Sequence, residues 1–134
     1  MAAFALASVP VAAQETAPPD TLLLFVASWC APCHRELREF DAIAAAARPA
    51  RTLVVAYDDT RATRTMLRNI APDRRWPIDT PARRELRRRL MQRAVGLPYA
   101  VLTDQRGEPC ATSNQGLTAE RARRLQRSCA TGGR

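Results

Sequence analysis

The sequence predicts an α/β fold with a central mixed β-sheet flanked by helices, and three observations carry that reading. Two continuous apolar runs of strand length, "TLLLFVA" (21–27) and "RTLVVAY" (51–57), read as strands buried on both faces. Between them, "PCHRELREFDAIAAAA" spaces Cys33, Leu37, Phe40, Ile43 and Ala44 at helical intervals. Strand, helix and strand in so short a span form a βαβ unit, so these strands should be parallel. Near the C-terminus, "YAVLTDQRGEPCATS" alternates strand, turn and strand, which adds an antiparallel hairpin and makes the sheet mixed.

Each remaining element follows from local signals. Thr60 to Ile70 is helical, with Met66, Leu67 and Ile70 on one side. "RRWPID" adds a short extended piece, and Ala82 to Ala94 forms a further helix that buries Leu86, Leu90 and Met91. Strands are expected at Tyr99–Thr103 and Glu108–Thr112, with a turn at Asp104–Gly107. Thr118 to Cys129 closes the chain as an amphipathic helix, with Thr118 as N-cap and Glu120 in the first turn.

A chain of 134 residues supplies one ordinary domain. Residues 1–20 read as a signal-like apolar segment and linker, and 21–134 as the domain. In "MAAFALASVPVAAQETAPPD" small residues at Val11–Ala13 suit signal-peptidase cleavage after Ala13, although no basic residue precedes the apolar stretch. Export is therefore expected, and it would place the four cysteines where disulfides persist. The net charge of +8 comes from 21 basic residues, all arginine. They are dispersed among Glu, Leu and Ala without interleaved aromatics, so no nucleic-acid partner is expected. The dense run at 82–93 reads as a solvated helix face.

The chemistry centres on "SWCAPCH", 28–34. Cys30, Cys33 and His34 match the haem-attachment string C-x-x-C-H, with Met66 or Met91 as distal ligand, while Trp29 to Cys33 matches a redox dithiol. The order strand–dithiol–helix favours the dithiol. Cys30 stands where unpaired helix N–H groups and the helix dipole stabilise a thiolate, which is the attacking species. Ala31 and Pro32 shape the intervening turn, Pro32 costing no hydrogen bond in the first helical turn. Cys33, three residues on, is placed to resolve a mixed disulfide. Cys30 is expected to be accessible and Cys33 buried, and a shielded Cys30 would instead favour a binding module without turnover. No metal is expected: Cys110 and Cys129 lack a C-x-x-C spacing, and His34 is the only histidine. The interval between Cys110 and Cys129 turns back on itself, so these two are a candidate structural disulfide.

"FVASWCAPC" after a buried strand, followed about 65 residues later by "GLPYAVLTDQRGE", resembles the thioredoxin superfamily, in particular the exported TlpA/ResA-like thiol-disulfide oxidoreductases. The resemblance covers Leu22 to about Gln126. It implies a thioredoxin-like fold, no cofactor, and reduction or exchange of disulfides in exported proteins. Apocytochrome c is among the substrates it implies, a membrane-bound thiol donor is expected to restore the dithiol, and the protein is expected to be a periplasmic or otherwise exported monomer, tethered to the membrane if the N-terminus is longer. It also implies that Pro98 is the family's cis-proline and that Trp29, Leu97 and Pro98 line the substrate groove. One departure stands out: the buried aspartate that thioredoxins proper carry six residues before the first cysteine is Leu24 here, leaving Glu36, Asp58 or water to take its place.

Overall fold

The computed structural model describes residue 8 and residues 14–132. The rest of the signal-like segment, 1–7 and 9–13, lies outside them. Four strands, β1 (Thr21–Val26), β2 (Arg51–Ala56), β3 (Tyr99–Thr103) and β4 (Pro109–Ser113), form one sheet in the order β2-β1-β3-β4. β1 and β2 are parallel, and β1–β3 and β3–β4 are antiparallel, giving a mixed sheet.

Alternation along β1 divides the core in two. Leu22, Leu24 and Val26 face one layer, with α1 (Ala31–Arg38), α2 (Phe40–Ala47) and α5 (Ala119–Gly132) packed over it. The helix α3 (Arg61–Arg68) adds Met66 and Leu67 to that layer. Leu23 and Phe25 face the other, covered by Trp76 and by Leu86 and Leu90 of α4 (Pro81–Leu90). Among the described residues no helix is long and apolar enough to cross a membrane.

The helix expected after the dithiol is two helices. It breaks at Glu39 (φ −97°, ψ 12°), whose N–H is shared between the carbonyls of Arg35 and Glu36. The break lets Phe40, Ile43 and Ala47 turn into the core. The stretch 14–20, expected as a linker, lies against the domain. Thr103 Oγ1 donates to the Pro18 carbonyl, Glu15 pairs with Arg83, and Ala17 is buried in the second layer. Gly107 (φ +77°) permits this docking, because a Cβ there would collide with the Ala17 carbonyl oxygen.

At the β2 edge, "RRWPID" supplies a short parallel bridge, with Trp76 N–H donating to the Val54 carbonyl at 3.0 Å. That contact covers part of a strand edge open to pairing with other chains. On the arginine-rich helix only Arg84 and Arg88 are exposed, whereas Arg83, Arg87 and Arg89 are partly buried because they bond neighbouring acids and backbone carbonyls, which corrects the expectation of a wholly solvated face. Arg83, Arg87 and Arg88 pair with Glu15 and Asp79, with Asp59, and with Glu85 respectively.

Candidate functional site

Strand register gathers the site at one end of the sheet. Val26 pairs with Ala56 and Phe25 with Tyr99. Residues that follow β1 and β2 and those that precede β3 therefore meet. This places Ser28–Cys30, Tyr57–Asp58 and Val95–Pro98 at the same end of the sheet, although they are far apart in sequence.

Cys30 is the N-cap of α1, and its backbone N–H donates to the Ala27 carbonyl at 3.1 Å. Cys30 and Cys33 form a disulfide with Cα atoms 5.2 Å apart. Cys30 Sγ also accepts the Cys33 N–H at 3.2 Å, so the sulfur occupies the position of a capping acceptor. Ala31 and Pro32 are exposed and open the helix. Cys33 is fully buried, but Cys30 is itself only 4% exposed in this oxidised form, which corrects the expectation of an accessible sulfur. The cause is local: its sulfur is held between Cys33 and the helix N-terminus, and Leu97 packs against the same core layer.

Trp29, by contrast, is 63% exposed. Its Nε1–H donates to Asp58 Oδ2 at 2.8 Å, and its ring meets Tyr57 edge-on with centroids 5.9 Å apart. Burial pushes the Asp58 carboxyl up, but hydrogen bonds from Trp29, Thr63 and Thr60 outweigh it and hold the group below the ordinary aspartate value. The turn beneath is fixed from both sides. Ser28 N–H donates to Thr63 Oγ1 at 3.1 Å, and the Ser28 carbonyl bonds His34 Nε2 at 2.8 Å. His34 is thus engaged with backbone, Met66 packs on the first layer and Met91 on the second, and the disulfide uses both sulfurs that a haem would need. Among the described residues no three His, Cys, Asp or Glu side chains converge as metal ligands.

Leu97 and Pro98 directly precede β3 at the end of the sheet where β1 leads into the dithiol turn; Leu97 is half-buried and packs on the core layer that holds Cys30, Pro98 is buried, and the peptide bond between them is cis. A second cis bond, Arg48–Pro49, has no counterpart in the sequence reading. Cys110 and Cys129 are joined by a disulfide, Cα atoms 5.1 Å apart, towards the other end of the sheet, where Leu102 pairs with Leu22.

The position of the missing aspartate, Leu24, is fully buried in β1. The buried acid lies elsewhere. Glu36, three residues after Cys33 on α1, is 2% exposed; its Oε2 accepts the Leu117 N–H at 2.7 Å and, among the described residues, its Oε1 has no partner. Burial raises its pKa to about 7, against a smaller lowering from the Leu117 hydrogen bond. The only sequence signal for it was its helical spacing from Cys33.

No family model matches the chain, and neither does any curated protein. Among solved structures, the crystal structure of StoA from Bacillus subtilis is similar, with a TM-score of 0.56 and 21% sequence identity over 78% of this chain and 80% of that one. The chain thus has a thioredoxin-like fold, a mixed four-stranded sheet between helical layers, with a C-x-x-C disulfide opening its first helix.

Proposed function

We propose that this protein is an exported thiol-disulfide oxidoreductase that reduces or exchanges disulfides in protein substrates. The observation that supports it best is the Cys30–Cys33 pair at the N-cap of α1, where Cys30 Sγ already accepts a helix N–H. The same geometry would stabilise a thiolate once the bond is opened. In the reduced protein the Cys30 thiolate attacks a substrate disulfide. The substrate S–S bond breaks, one substrate thiolate leaves, and a mixed disulfide forms. Cys33 loses its proton and attacks Cys30 Sγ, releasing the second substrate thiolate and closing Cys30–Cys33. A membrane-bound dithiol donor then returns the two electrons.

Glu36 supplies the proton acceptor for Cys33. A buried carboxyl with a pKa of about 7 and one unpartnered oxygen exchanges protons near neutral pH, on the helix that carries both sulfurs. Trp29, Leu97 and Pro98 flank the groove in which an extended substrate segment would lie. The C-Ala-Pro-C turn favours the reducing direction, and apocytochrome c is one class of exported substrate to assay.

A second reading is a thioredoxin-fold binding module without turnover, and the 4% exposure of Cys30 favours it. Multiple-turnover reduction of a peptide disulfide, with dithiothreitol as donor, separates the two. Turnover that disappears in Cys30→Ser supports the enzyme; stoichiometric binding with no turnover supports the module.

A further inference from the structure

Among the described residues three large apolar side chains stand exposed: Trp29 at 63%, Tyr57 at 41% and Val95 at 88%. Single exposed apolar side chains are ordinary on a protein surface. Here all three belong to segments that leave the sheet at the dithiol end: Trp29 and Tyr57 follow β1 and β2, and Val95 precedes β3 by four residues. Trp29 and Tyr57 brace each other and Asp58 anchors the indole. Val95 needs a different anchor, because its side chain touches little.

That anchor is Asn114. The Val95 N–H donates to Asn114 Oδ1 at 2.9 Å, and Asn114 Nδ2 donates to the Arg93 carbonyl at 3.4 Å. One amide therefore grips the backbone on both sides of Ala94. Asn114 itself follows directly on β4, whose Ser113 pairs with Ala100 of β3, so the grip is referred to the sheet. Only Asn or Gln offers an acceptor and a donor on one side chain with this planar spacing; aspartate keeps the acceptor alone and alanine keeps neither. Two residues on, Gly116 lies against Pro98: a Cβ there would come within 3.4 Å of the proline ring. The loop after β4 thus holds the approach to Pro98 at two points.

We propose that Asn114 is a positioning residue that fixes Val95 as an apolar contact for the substrate, so that the protein favours disulfides whose cysteine has an apolar near neighbour. This rests on the thiol-disulfide reading above. A loop fixed before binding spares the complex the cost of ordering it, so the benefit falls on substrate affinity. The chemistry at Cys30 proceeds through the same atoms either way.

The test compares wild type with Val95→Ser, Asn114→Ala and Asn114→Asp on two peptide disulfides, one with leucine and one with serine beside its cysteines. Hydroxyethyl disulfide, which carries no amino-acid side chain to set against Val95, is the reference substrate for each variant. Wild type should prefer the leucine peptide, and both Val95→Ser and Asn114→Ala should raise its KM about tenfold, the order expected when one apolar side chain loses its partner, with kcat held within about twofold. Asn114→Asp, which keeps the acceptor for the Val95 N–H, should recover most of the preference. Val95 is exposed, so Val95→Ser remains informative even if Asn114→Ala folds poorly. No preference in wild type, or a preference unchanged in Val95→Ser, overturns the proposal. Failure of wild type to reduce hydroxyethyl disulfide would instead sink the thiol-disulfide reading. In that event, titrating each protein with the leucine peptide bearing serine in place of its cysteines still decides the contact: equal affinities in wild type and Val95→Ser overturn it, and a loss of about tenfold supports it.

Discussion

Cys30–Cys33 spans three residues at the C-terminal end of β1, whereas Cys110–Cys129 spans 19 and ties β4 to α5 towards the opposite end of the same sheet. The first closes almost no loop, so breaking it releases little chain entropy, and it stands at a helix N-terminus that would accommodate a thiolate. The second closes a loop long enough to restrict the unfolded chain by about 3 kcal/mol. The difference teaches that bond type alone does not separate an exchanging pair from a staple; loop length and the local field do.

That contrast can be broken most severely at the first pair. Cys30→Ser should reduce turnover to the uncatalysed level, and Cys33→Ser should accumulate mixed disulfides visible on non-reducing gels. Turnover retained in Cys30→Ser would erase the distinction between the two pairs.

The next effect concerns Glu36. Its folded pKa of about 7 lies above the ordinary 4.5, so between those values the folded protein holds a proton that the unfolded chain has released. Its contribution is most favourable below pH 4.5, falls as pH rises to 7, and is level above that. Glu36→Gln, which cannot ionise, should therefore flatten the difference of about 2 to 3 kcal/mol between pH 5 and pH 8 in chemical denaturation of the oxidised protein. An unchanged pH profile would show that the carboxyl titrates normally.

Removing the staple comes next. The double replacement Cys110→Ala, Cys129→Ala should lower stability by up to about 3 kcal/mol while turnover per folded molecule persists, as read by urea unfolding and peptide reduction. A smaller effect is expected from Asp58→Ala, which removes the acceptor of the Trp29 indole N–H. The loss should be about 1 kcal/mol of stability, with a change in Trp29 fluorescence that marks a freed ring.

The sheet was legible because its signals are local. "TLLLFVA" and "RTLVVAY" carry their burial in every residue, and Gly107 marks the hairpin turn. The dithiol was legible for the same reason, since strand, Cys, Pro, Cys and helix are contiguous. The break at Glu39 was not, because no proline or glycine marks it and the core packing of Phe40 and Ile43 decides it. The burial of Glu36 depends on Leu117, 81 residues away, and the grip of Asn114 on Val95 spans 19. Such contacts leave no trace in periodicity. Residues 14–20 read as a linker from their prolines and polar side chains, yet Ala17 is buried through a glycine turn 90 positions on.

The central claim is that Cys30–Cys33 exchanges electrons with other thiols, and its reduction potential tests this most directly. Equilibration with glutathione or dithiothreitol buffers, followed by alkylation and mass measurement, reads the Cys30–Cys33 and Cys110–Cys129 pairs separately. The account predicts that Cys30–Cys33 titrates between about −270 and −120 mV, the range of thiol-disulfide exchange proteins. A Cys30–Cys33 potential below about −300 mV, where structural disulfides lie, would contradict it.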